Sequence, residues 1–253
     1  MGLNYIGIIP ARYASSRFPG KPLADLGGKP MIQRVYEQVS KALSNVCVAT
    51  DDERIESAVK AFGGNVVMTS DQHNSGTDRC YEAYTKIGGG YDVVINIQGD
   101  EPFIHPSQIE TLKGCFTDQT IQIATLVKPF LPTDDFEAVL FNENSPKVVI
   151  NRKNEAMYFS RSVVPFFRGL NHKEWLKNHT YYKHIGLYAY RAEALGEITK
   201  LPLSPLEQVE KLEQLRWLEN GYKIKVGFTD RETIGIDTPQ DLEKAIALMR
   251  SED

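Results

Sequence analysis

Apolar runs of strand length alternate with amphipathic runs of helix length through the first half of this chain. That alternation restricts the fold more than any other feature. Ile6–Ile9, Val46–Ala49, Val66–Met68, Val93–Ile97 and Ile123–Val127 read as strands. Between the first two, Met31, Val35, Val39 and Ala42 fall at helical spacing from Pro30 to about Leu43, with Pro30 suited to the first helical position. Thr50-Asp51-Asp52-Glu53 reads as a capping box opening a second helix that carries Ile55, Val59 and Phe62. Strands without a polar face are covered on both sides. The pattern therefore predicts an α/β fold, a doubly wound and mostly parallel sheet with helices on its two faces.

Regularity breaks after about Lys128, where Pro-rich and aromatic segments take over. Tyr181–Tyr190 reads as a long strand with His184, Gly186, Tyr188 and Tyr190 on one face and Ile185, Leu187 and Ala189 on the other. Ser204-Pro205-Leu206-Glu207 is a second capping box, predicting one helix that runs to Asn220-Gly221; Thr238-Pro239-Gln240-Asp241 repeats the device for a last helix. No internal repeat or low-complexity tract interrupts the chain. The expectation is a single catalytic domain over residues 1–253 with an inserted smaller lobe at about 131–200.

The first predicted strand runs into Pro10-Ala11-Arg12-Tyr13-Ala14-Ser15-Ser16-Arg17-Phe18-Pro19-Gly20-Lys21. No Asp or Glu occurs in the first 24 residues, so Arg12, Arg17 and Lys21 have no local acid. A loop that follows a strand and carries unpaired cations and a glycine suits a polyphosphate, which meets backbone N–H groups and cations together. The loop matches neither G-x-x-x-x-G-K-[ST] nor G-x-G-x-x-G, and no G-x-S-x-G elbow occurs. Gln98-Gly99-Asp100-Glu101-Pro102 follows the Val93–Ile97 strand, which places Asp100 at a carboxyl end, where open α/β sheets bind ligands. A carboxylate beside a polyphosphate calls for a divalent cation between them, and Mg²⁺ takes one or two carboxylates plus phosphate oxygens. Asp237 is either the second carboxylate or a turn residue before the Thr238 cap. Glu101 reads as an exposed acid in a Pro turn.

The segment I-P-A-R-x-x-S-x-R-x-P-G-K-x-L resembles the signature of the sugar cytidylyltransferases, within the sugar nucleotidyltransferase superfamily. The likeness continues through Ala49-Thr50-Asp51-Asp52, Ser75-Gly76-Thr77-Asp78-Arg79, Asn96-Ile97-Gln98-Gly99-Asp100-Glu101-Pro102, Tyr158-Phe159-Ser160-Arg161-Ser162, His184-Ile185-Gly186, Leu212-Glu213-Gln214-Leu215-Arg216 and Gly235-Ile236-Asp237-Thr238. It implies the nucleotide-diphospho-sugar transferase type of sheet. It also implies transfer of CMP from CTP to 3-deoxy-D-manno-octulosonate, an acidic eight-carbon sugar, with pyrophosphate released, for lipopolysaccharide assembly. An amino-substituted form of that sugar, a sialic acid, and a non-catalytic nucleotide-sensing module are the alternatives. The resemblance implies nucleotide contacts from Pro10, Ala11, Arg12, Ser16, Arg17, Lys21, Ser75, Arg79 and Gln98, catalytic roles for Arg17, Lys21 and Asp100, and Mg²⁺ on Asp100 and Asp237. It also implies a homodimer joined through the inserted lobe, where Val163–Phe167 is apolar. The family often has Glu where Asp78 stands, a conservative departure.

For the sugar acid, Arg161 offers a planar fork that matches a carboxylate. The resemblance adds His184, whose strand face Tyr188 shares; Glu207 and Gln214 are the expected contacts from the helix after Ser204. On a single helix after Ser204, Glu207, Glu210 and Gln214 would share a face. Structural readings stand beside these: Ser75–Asp78 as a helix cap, His184 as a satisfied core group, Glu207 as the closing residue of its capping box. His73, His105, His172 and His179 lack metal-ligand spacing and read as no part of a site.

A net charge of −4 over 253 residues argues against a nucleic-acid partner, since the positive charge is local. Cys47, Cys80 and Cys115 form no C-x-x-C pair and read as reduced thiols of a cytoplasmic protein. No leader pattern precedes the first strand, and no run approaches the roughly 20 apolar residues that span a bilayer.

Overall fold

A computed structural model describes residues 2–14, 18–232 and 235–252, with the side chains of 250–252 left aside. The chain divides into two compact units: residues 1–110, 190–199 and 233–253, and residues 111–189 and 200–232. The fold is α/β with mostly parallel strands, as the alternation predicts. The unit that contains the expected lobe begins at Thr111, earlier than residue 131, breaks after Ala189 and resumes at Lys200.

The first unit holds strands β1 (Tyr5–Ala11), β2 (Val46–Thr50), β3 (Val66–Met68) and β4 (Val93–Asn96). They lie in the order β3-β2-β1-β4, and every ladder among them is parallel. β2 and β4 are buried at every residue, as strands covered on both faces must be. Helices α1 (Met31–Ser40), α2 (Glu53–Ala61) and α3 (Gly76–Ile87) make the parallel connections, and α4 (Pro106–Cys115) follows β4. The chain steps outward from β1 to β3, then crosses back to place β4 on the other side of β1. The carboxyl ends of β1 and β4 therefore form a switch point, where a crevice opens.

The second unit holds β5 (Ile123–Pro129), α5 (Phe136–Leu140), β6 (Lys147–Ile150), β7 (Ala156–Ser160), α6 (Trp175–Asn178) and most of β8 (Tyr182–Arg191). Helix α7 (Ala192–Ile198) belongs to the first unit; α8 (Pro205–Glu210), α9 (Gln214–Glu219) and β9 (Ile224–Phe228) return to the second, and α10 (Pro239–Glu252) closes the first. β5 pairs with β9 in parallel, while β6 pairs antiparallel with β7 and with β8. Phe130, Leu140, Trp175, Leu176 and Tyr181 form a core of their own in this unit, against which Val163 and Phe167 pack.

Three expected boundaries need correction. Pro30 is the cap residue of α1 rather than its first helical residue. Asp52, not Thr50, caps α2, its side chain accepting the Arg54 N–H, because Thr50 is still paired with Met68 in the sheet. The helix expected from Ser204 to Asn220 is two short helices, broken at Lys211, whose φ of 53° lies in the left-handed region. Arg161 accounts for the break. Its guanidinium donates to the carbonyls of Glu210 and Lys211, caps supplied by another part of the chain.

Gly7 is where α1 meets the sheet. A Cβ there would lie 2.8 Å from Leu43 Cδ1 and 3.1 Å from both Val39 and Ile97. Gly7→Ala is expected to lower stability by about 1–3 kcal/mol through overpacking. Urea unfolding of the two proteins checks this; an unchanged midpoint would mean that Leu43 moves aside freely.

Candidate active site

The crevice at the switch point is lined by Pro10, Ala11 and Arg12 after β1, by Lys21 and Pro22, by His73, Asn74, Ser75, Gly76 and Arg79, by Gln98, Gly99 and Asp100 after β4, and by Asp237. All belong to the first unit. Two close approaches shape it. A Cβ on Gly99 would fall 2.8 Å from the Pro10 carbonyl oxygen, so the two strand-end loops touch only because residue 99 is glycine. Gly20, in the left-handed region with φ 72°, returns the cationic loop on itself, its N–H donating to the Tyr13 carbonyl at 2.9 Å. The Tyr13 ring lies under the Arg54 guanidinium, 3.3 Å from the ring centroid. Ser16 and Arg17 lie outside the described residues.

Lys21 follows in a short 3₁₀ turn, Lys21–Leu23. Its Nζ donates to Asp100 Oδ2 at 2.6 Å and to Asp237 Oδ1 at 3.1 Å. The Ile236 N–H donates to the Asp100 carbonyl at 2.9 Å, seating the second carboxylate beside the first although the two are far apart in sequence. Ile236 is anchored in turn in a core with Leu26, Met31 and Ala245. Two hard oxygen donors thus converge on one cationic position. Among the described residues no group of three or more His, Cys, Asp and Glu side chains could hold a metal. A pair of carboxylates is nonetheless the protein share that suits a divalent cation completing its shell with phosphate and water.

The helix-start residues are more structural than expected. The Ser75 hydroxyl caps α3 by accepting the Asp78 N–H at 3.1 Å. Arg79 is 4% exposed and donates to Asp51 at 2.9 Å and to Thr69 Oγ1 at 2.6 Å, so Asp51, just after β2, matches its charge. Both still line the crevice, together with Gln98. Sequence reasoning discounts His73 for want of ligand spacing, but the structure puts it, with Asn74, in the crevice wall. Its place two residues before Ser75 is the signal that finds it.

The other expected contacts sit in the second unit, and one needs correcting. Arg161 offers no free fork: its guanidinium donates to the carbonyls of Glu210 at 2.7 Å, Glu143 at 2.9 Å and Lys211 at 3.3 Å. Glu210 accepts from the Ser160 hydroxyl and the Arg161 N–H. Glu207 closes its capping box and pairs with Arg216 at 3.3 Å. Because α8 and α9 are separate, Glu207, Glu210 and Gln214 do not share one helix face. Gln214 is 5% exposed, and its Nε2 has no hydrogen-bond partner among the described residues. His184 lies between the Phe159 and Tyr188 rings with Nε2 at 3.1 Å from Thr125 Oγ1, and Tyr188 packs edge-on to Trp217. Burial pushes the His184 imidazole down to about 3, so it serves as a neutral hydrogen-bonding group.

Residues 6–224 match the family model described as cytidylyltransferase. The chain is 74% identical over 247 residues to the 3-deoxy-manno-octulosonate cytidylyltransferase of Parabacteroides distasonis, covering 98% of each chain. It is 56% identical over 252 residues to the protein of that name from Porphyromonas gingivalis, covering 100% of this chain and 99% of the relative. A solved structure of CMP:2-keto-3-deoxy-manno-octonic acid synthetase complexed with CTP superposes with a TM-score of 0.89 at 44% identity, over 99% of this chain and 100% of that one.

The half-buried His184 makes an acid-stability prediction. Unfolded, its pKa returns to the ordinary 6.5; folded, it is about 3. Between those values the unfolded chain binds a proton that the folded chain refuses, so stability falls as pH drops through that window. Unfolding free energies measured from pH 7 to pH 4 are expected to fall more steeply for the native chain than for His184→Gln. Parallel curves would show an imidazole that titrates normally.

Proposed function

The chain belongs to the cytidylyltransferase family, and on that premise we propose that it transfers CMP from CTP to 3-deoxy-D-manno-octulosonate, giving CMP-Kdo and pyrophosphate for lipopolysaccharide assembly. One observation carries this reading for the site: the Lys21 ammonium held between Asp100 and Asp237 at the mouth of a parallel sheet. Converging opposite charges there suit a triphosphate that arrives with a counter-cation.

The triphosphate lies along the loop after β1, with Arg12, Arg17 and Lys21 donating to its oxygens. The anomeric hydroxyl of the sugar attacks the α-phosphorus in line, and pyrophosphate leaves. Charge grows on the departing oxygens as the bond breaks, so cations fixed near them stabilise the transition state more than the ground state. Lys21 pairs with both carboxylates and donates to the leaving pyrophosphate when nucleotide is bound. Asp100 and Asp237 are the residues that would hold Mg²⁺, which when bound neutralises and orients phosphate oxygens. No side chain is needed as a covalent nucleophile.

His184, Tyr188, Glu207 and Gln214 are the proposed sugar contacts, with Arg161 acting through the Glu210 and carbonyl groups it positions. The reaction draws on cytoplasmic CTP, and no helix among the described residues is long and apolar enough to cross a membrane. A homodimer through the Val163–Phe167 segment completes the reading; Phe166 there is 75% exposed and packs on Trp175.

Purified protein with CTP, Mg²⁺ and a panel of sugar acids is expected to release pyrophosphate only with 3-deoxy-D-manno-octulosonate. Faster release with the amino-substituted sugar or a sialic acid would reassign the substrate. Asp100→Asn is expected to lower kcat by at least ~10²-fold, the scale of losing one electrostatic transition-state contact, with the circular dichroism spectrum unchanged. Full activity in that variant would remove Asp100 from the mechanism.

A further inference from the structure

A pocket that takes CTP must refuse UTP, which has the same ribose and phosphates. The bases differ at one edge, where cytosine carries an amino group and uracil a carbonyl oxygen. An acceptor that cannot become a donor separates them, because it bonds the amine and repels the oxygen. Arg12, Lys21 and Arg79 in the crevice wall only donate. Asp100 and Asp237 are paired with Lys21, and the Ser75 hydroxyl is bound to the Asp78 N–H. The amides of Gln98 and Asn74 present either an oxygen or an NH₂ group by turning over, so neither alone excludes uracil.

His73 differs from these. Its Nε2 is hydrogen-bonded to Glu82 Oε2, its side chain is 21% exposed, and its Nδ1 has no partner among the described residues. Glu82 is itself held from three directions, accepting from the Ser70 N–H at 2.9 Å and from Lys86 at 2.7 Å besides His73. Burial opposes its ionisation, yet these donors hold the carboxyl down to about 2. On the neutral imidazole, a fixed carboxylate on Nε2 keeps the ring proton on that nitrogen and leaves a lone pair on Nδ1. The ring cannot turn over without losing Glu82.

We propose that His73 selects the base: Nδ1 accepts a hydrogen from the exocyclic amine of cytosine and repels the carbonyl of uracil, with Glu82 as the positioning residue that fixes the tautomer. This rests on the reading of the crevice as a CTP site.

The test is kcat/KM for pyrophosphate release with CTP and with UTP, using the full-length protein. The native chain is expected to prefer CTP strongly. His73→Ala is expected to raise the UTP:CTP ratio at least ~10-fold, the scale of losing one buried hydrogen-bonding discriminator. His73→Asn puts there an amide that presents either an oxygen or an NH₂ group, so it is likewise expected to raise the UTP:CTP ratio; it carries the test if His73→Ala does not fold. Glu82→Gln is expected to raise the ratio to a lesser degree. If both His73 variants keep the native ratio, or lose rate equally with the two nucleotides as a contact to the ribose would, this proposal is overturned. If the native chain turns over neither nucleotide, the CTP reading of the crevice fails and the selector role with it. A native preference that survives His73 replacement sinks only the selector.

Discussion

A lysine ammonium between two carboxylates is the interaction on which the site is built. Asp100 and Asp237 come from the end of β4 and from the segment before α10, and at such separation like charges repel unless a cation lies between them. Lys21 supplies that cation from a third segment. Its side chain is 14% exposed, so solvent screens the pairs only in part. The triad leaves one negative charge in excess, which a divalent cation carried in with the triphosphate offsets.

Rigid backbone makes the meeting of three segments possible. The Ile236 N–H on the Asp100 carbonyl, the shared core of Leu26, Met31, Ile236 and Ala245, and the Gly99 contact with Pro10 all act on main chain or core rather than on the charged tips. The carboxylates are therefore held by main chain and core as well as by Lys21. Such preorganisation lets electrostatic stabilisation act without reorganisation at the moment of reaction.

The frame of this arrangement is legible in the sequence because its signals are local. Continuous apolar runs mark strands buried on both faces, and a glycine with cations after the first of them marks the loop. Asp100 is readable as a strand-end carboxylate, and Asp237 only through a likeness to related chains, since nothing local brings it to β4. What stays hidden is tertiary. Lys211 takes a left-handed conformation because Arg161, fifty residues earlier in the chain, caps the carbonyls there. Asp52 caps α2 because Thr50 is held by its partner strand. The pairing of Arg79 with Asp51 and of His73 with Glu82 depends on how strands and helices stack, which spacing along the chain does not report.

The charges of the second unit bear on how an acidic sugar is held. Arg161 is engaged with carbonyls, and Arg216 with Glu207 and Glu213. Lys147, fully buried on the carbonyls of Asn142 and Arg161, is pushed by burial down to about 8. His184 is neutral at physiological pH. The proposed sugar contacts therefore offer directed hydrogen bonds more than free positive charge, with the unpartnered Gln214 Nε2 the clearest of them. That division suits the chemistry. The sugar's carboxylate keeps the same charge from ground state to transition state, so a strong ion pair to it would tighten binding without speeding the transfer. Charge changes at the triphosphate, and Arg12 and Lys21 line the crevice there.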